Sequence, residues 1–132
     1  MTAGETFGIT NGVITMLSLI TGLYSTNVNK IGIMGAIISL LIVNPLSDAY
    51  SLYASQKEIT NKETAYDISK KAFLSQAIIQ SIFLLIIFLT STVKKGLIAS
   101  YVTGIMIILG NGQNIYNLII IFALVALTFF LS

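Results

Sequence analysis

The chain has 132 residues, which is one domain's worth, and carries 55% hydrophobic against 9% charged residues. A soluble domain has roughly 25% charged residues to cover its surface, so this composition excludes an ordinary water-facing fold. The formal charge is +2, the seven basic residues are all Lys, and Cys and His are absent. A nucleic-acid footprint, disulfides, thiolate metal sites and Cys nucleophiles are thereby excluded, and so is an imidazole general base. No nucleophile–base pair is visible, which argues against an enzyme.

The sequence predicts an all-α fold: a single transmembrane domain over residues 1–132, built as an integral membrane bundle of about five helices. The N-terminal Met-Thr-Ala-Gly-Glu-Thr lacks the basic region of a cleavable signal. The first apolar stretch, residues 7–24, is therefore read as a retained helix near the lower length limit for crossing hydrocarbon. Gly4, Gly8 and Gly12 recur every fourth residue and form one face suited to close helix packing, or to dimerisation.

The second helix is expected over 31–55. Pro45, which has no N–H, should kink or break it. Residues 56–71 hold Lys57, Glu58, Lys62, Glu63, Asp67, Lys70 and Lys71, and read as a short polar helical linker between helices two and three. A third span is expected over 72–93, then a basic turn at Lys94-Lys95-Gly96. A fourth span over 97–109, a turn at 110–114 and a fifth span over 115–131 complete the reading, with a four-helix count as the fallback. With five spans, Lys57, Lys62, Lys70 and Lys71 share a side with the N-terminus, against Lys30, Lys94 and Lys95 opposite. The positive-inside rule then puts the N-terminus in the cytoplasm.

Polar residues inside apolar spans are costly and turn inward, so they are the candidate site. Asp48 is the one ionisable residue set within a span. Asn44, Asp48 and Ser51 fall at i, i+4 and i+7, one helical face, and Pro45 frees the carbonyl of Leu41 beside them. Asn11 and Thr15 on helix one, and Gln76 and Gln80 on helix three, are similarly one turn apart. Together these seven residues can line a polar path, and a carboxylate, amides and a free carbonyl suit a hard cation. The competing reading is interhelical glue, worth about 0.6 kcal/mol per hydrogen bond on average. Met16, Met34 and Met106 read as packing residues, and Glu58, Glu63 and Asp67 as a solvated face.

Residues 7–24, FGITNGVITMLSLITGLY, and 44–58, NPLSDAYSLYASQKE, resemble the first two helices of the vacuolar iron transporter family, in its small prokaryotic form. Past residue 60 only the hydropathy pattern is similar. The resemblance implies a five-helix fold, often a homodimer, that moves Fe(II) or Mn(II) across a bilayer in exchange for protons, with no resident cofactor. It implies metal contacts at Asp48 and at Asn11, which stands where the family carries Asp and cannot itself hold a proton or a charge. It also implies that Glu58 and Glu63 are what remains of a larger metal-binding domain between helices two and three. The alternative function is a non-transporting membrane scaffold or accessory subunit.

Overall fold

The computed structural model describes residues 3–110, which form five helices and no strand. They are α1 (Ala3–Ser25), α2 (Lys30–Leu40), α3 (Val43–Ile59), α4 (Lys62–Leu89) and α5 (Val93–Gly110). Four stretches among the described residues are long and apolar enough to cross a membrane: α1, α4, α5 and the 30-residue run Lys30–Ile59 that contains α2 and α3. The fifth expected span, 115–131, lies outside the described residues.

Each turn has a local cause. At the end of α1, Asn27 takes a left-handed backbone (φ 62°). The Asn27 N–H then bonds to Tyr24 O and the Val28 N–H to Leu23 O, each at 3.0 Å, the paired closure of a Schellman motif. Two residues later the Asn29 side chain caps α2 by accepting from the Gly32 N–H at 2.8 Å.

The α2–α3 discontinuity lies at Leu41–Ile42, one turn ahead of Pro45. Pro45 occupies the first turn of α3, where a missing N–H costs little. Its ring opposes the carbonyl four residues back, so the disturbance falls on Leu41. Leu41 (φ −64°, ψ −31°) and Ile42 (φ −108°, ψ −45°) stay near helical values. The run is therefore disturbed without reversing.

Two boundaries correct the sequence reading. Residues 56–71 are not a separate linker: they form the last turn of α3, a break at Thr60–Asn61 and the first turns of α4. Asn61 caps α4 through the Thr64 N–H at 2.8 Å. Asp67 pairs with Lys71 at 3.1 Å, while Ala65 and Ser69 stay buried. The packed face of α4 thus continues beyond its apolar part, and so does the helix. Lys94-Lys95-Gly96 is likewise not a turn. The chain turns at 90–92, Thr92 Oγ1 accepts from the Lys95 N–H at 3.2 Å, and Lys94 and Lys95 lie in the first turn of α5. Gly96 is buried against Ile87 and Thr90.

α4 is the central element, packing against α1, α2, α3 and α5. Its buried residues Ala65, Ser69, Ala72, Gln76, Ile79, Phe83 and Ile87 follow a three-to-four-residue spacing, one stripe of a helix. α1 runs parallel to it, with Gly4, Gly8 and Gly12 meeting Ile68, Ala72 and Ile79 in turn. A Cβ on Gly8 would stand 2.4 Å from Ala72 O, and one on Gly4 2.2 Å from Ile68 O. Only hydrogen fits there, so the glycine face is filled by this chain's own α4. The core of Val13, Met16, Leu17, Ile20, Ile33, Ile37, Phe83 and Ile87 lies beyond this contact, toward the C-terminal end of α1. Ile31, Ile78, Leu85, Phe88 and Met106 point outward; Met106 is thus not a packing residue within the described chain.

Candidate functional site

Three helices place polar side chains at one level of the bundle. α3 contributes Asp48, in its second turn. α1 contributes Asn11, one residue before Gly12, and α4 contributes Gln76. The Asn11 Nδ2 donates to Asp48 Oδ2 at 2.5 Å, and the Gln76 Nε2 donates to the same oxygen at 2.8 Å. Asp48 Oδ2 is therefore an acceptor twice over, and Oδ1 takes part in neither bond.

The glycine stripe makes this reach feasible. A Cβ on Gly8 would lie 3.0 Å from the Gln76 backbone nitrogen, and one on Gly12 3.5 Å from Gln76 Cγ. Bare glycine lets α1 and α4 approach until Asn11 and Gln76 meet one carboxylate on α3.

Around this centre lie buried polar atoms with no hydrogen-bond partner among the described residues. They are Gln76 Oε1, both Gln80 Oε1 and Nε2, and Asn44 Nδ2. Gln76 and Gln80 are both 0% exposed. Buried polar atoms are normally satisfied, and an orphan points to a missing water, ion or ligand. Gln80 sits one turn deeper along α4 than Gln76. Past it, Phe83 and Met16 are fully buried, so the polar seam gives way to apolar packing on that side.

The remaining candidates distribute as follows. Thr15 is half-buried one turn beyond Asn11, Asn44 is half-buried one turn before Asp48, and Pro45 is buried in the first turn of α3. Ser51 is exposed, so the expected Asn44–Asp48–Ser51 face turns only its first two members inward. Glu58 and Glu63 are exposed near the α3–α4 corner. Glu58 lies ten residues beyond Asp48, about 15 Å along the axis at 1.5 Å per residue. Among the described residues no three His, Cys, Asp or Glu side chains gather at one point; Glu58 and Glu63 do not join Asp48 in a metal centre.

Two polar contacts escape sequence reasoning. Thr21 on α1 and Tyr101 on α5 join hydroxyl to hydroxyl in the core. The sole hint is that Thr21 continues the face of Val13 and Leu17, which pack near Gly104. Lys30 donates its Nζ to Phe88 O at 2.7 Å and Thr90 O at 2.9 Å, closing the C-terminus of α4. Its position ahead of an apolar run identified it only as a flanking charge.

Compared with family models, curated proteins and solved structures, the chain matches none.

Proposed function

We propose that this chain spans a membrane and carries a cation across it, with Asp48 as the charge that the cation meets. The observation that supports this is Asp48 Oδ2, held by amides from two other helices while buried amide oxygens beside it stay unpaired. A carboxylate among apolar helices is costly. Fixing it by one oxygen while leaving the other outside those bonds is a sound way to present charge to an ion. The outward apolar side chains are the surface that lipid would solvate. Fe(II) or Mn(II) in exchange for protons is the traffic implied by the family resemblance, and a cytoplasmic N-terminus follows from the Lys placement. The homodimer implied by the same resemblance would need an interface other than Gly4, Gly8 and Gly12, since α4 covers them.

The test is ion uptake by the full chain reconstituted in liposomes, comparing wild type with Asp48→Asn. Asn keeps an oxygen for both amide donors and removes the charge, so the variant separates charge from architecture. Loss of uptake in a variant that still folds is expected. Equal uptake by the two proteins would remove Asp48 from the mechanism.

A second reading is a non-transporting scaffold in which Asp48 serves as a polar clasp. The same pair of hydrogen bonds favours it, since they tie α1, α3 and α4 together. Under that reading no cation crosses the liposome membrane with either protein.

A further inference from the structure

We infer that the seam around Asp48 takes a singly charged, dehydrated alkali cation, with Na+ as the fitting probe, rather than a divalent metal. This rests on the proposed cation transport and names its substrate class.

The first argument is charge. Asp48 is the acid at the seam, and other acids lie well along the helices. Glu5 is six residues from Asn11 on α1, about 9 Å along the axis, and Asp67 is nine residues from Gln76 on α4, about 14 Å. The chain has no His or Cys to add. A single negative charge balances a monovalent cation. A divalent ion would leave one positive charge uncompensated among apolar helices, which is strongly unfavourable.

The second argument is donor type. The acceptors left over are Asp48 Oδ1, outside its two amide bonds, and the unpaired Gln76 Oε1 and Gln80 Oε1. Neutral carbonyl-type oxygens replace the hydration shell of alkali ions. Such oxygens also suit hard divalent ions such as Mn(II), so the donors admit both classes and the charge balance decides between them. The third argument is the discontinuity at Leu41–Ile42, about one turn before Asn44 and nearly two before Asp48. Pro45 denies the Leu41 carbonyl its helical N–H, and interrupted helices offer such carbonyls to Na+.

Gln80 is the discriminating residue. Fully buried, with both side-chain polar atoms unpaired among the described residues, it gives the empty protein nothing that leucine would not give. Removing an unsatisfied buried group for an apolar one of similar shape is close to neutral. The experiment measures thermal unfolding of the purified full chain in detergent, in NaCl and in choline chloride at equal ionic strength, and then in added MnCl2. The same preparations are assayed for uptake of labelled Na+ and of Mn(II) in liposomes.

Wild type should unfold at a higher temperature in NaCl than in choline chloride, because a ligand of the folded state raises apparent stability. Gln80→Leu should match wild type in choline and lose the Na+ increment, with Na+ affinity weaker by about tenfold. Asp48→Asn should lose the increment as well. Mn(II) uptake without any Na+ effect would overturn this inference and leave the transport reading standing. Absence of every cation effect and every uptake would overturn both. Gln80→Leu destabilised equally in choline and NaCl would make Gln80 an architectural residue and overturn its place in the site.

Discussion

Gln76 on α4 donates its side-chain amide to Asp48 on α3 at 2.8 Å, although 28 positions separate them in the chain. Asn11 on α1 donates to the same oxygen across 37 positions. Cutting the carboxylate to a methyl group strands both donors. Asp48→Ala should therefore be less stable than Asp48→Asn, by about 1–3 kcal/mol, the cost of leaving partly buried donors unmet. Denaturant or thermal unfolding of the two variants side by side checks the order. Equal stability would mean that the amides find water as readily as the carboxylate.

Gly8 and Gly22 sit on the same helix and should respond oppositely to alanine. A Cβ at Gly8 meets backbone, Ala72 O at 2.4 Å, whereas one at Gly22 meets nothing within 4 Å. Gly8→Ala should push α1 from α4 and destabilise by about 1–3 kcal/mol, as overpacking does. It should also weaken whatever the Asn11–Asp48–Gln76 cluster binds. Gly22→Ala should be neutral or stabilising by up to about 1 kcal/mol, from helix propensity alone. A melt of each variant settles the comparison.

Lys30 closes the α4 C-terminus with two hydrogen bonds to backbone carbonyls, and its Nζ stands 5.7 Å from the centre of the Phe88 ring. A cation at that end of a helix is favourable. Lys30→Met keeps the stem and removes the charge; it should lower stability by about 1 kcal/mol and speed amide exchange around Thr90. Lys30→Arg should retain most of the effect. Hydrogen exchange resolved to the α4–α5 turn distinguishes this from a general loss.

The Thr21–Tyr101 pair is 3% and 8% exposed, respectively, and joins α1 to α5. Thr21→Val and Tyr101→Phe each leave one hydroxyl buried without a partner. The double variant leaves none. It should recover stability relative to the sum of the singles, with a coupling of about 1 kcal/mol. Additive losses would show that each hydroxyl reaches another partner when its mate is removed.

Particular residues show how far sequence reasoning carries. The four-residue spacing of Gly4, Gly8 and Gly12 announces a close helix contact but not its owner. The structure assigns that contact to α4 of the same chain, in parallel register. The polarity of 56–71 reads as a short helical linker between two spans, because charge marks where the apolar stretches end. Asn61 capping and the buried Ala65–Ser69 face show protein packing extending the helix past that boundary. Asn44, Asp48 and Ser51 share a helical face by counting, yet Ser51 is exposed, because a helix buries only the arc its neighbours cover.

The amino-acid order alone determined that the chain is helical, that its helices are apolar enough for lipid, and that polar groups repeat at one-turn intervals along three of them. These are properties of single helices, written into a period of 3.6 residues. Tertiary structure decided that Asn11 and Gln76, and not Thr15 or Ser51, take hold of Asp48, and that Gln80 is buried unpaired behind them. Such choices depend on the rotation and register of one helix against another. Those are set by contacts between residues far apart in the chain, which no local pattern encodes.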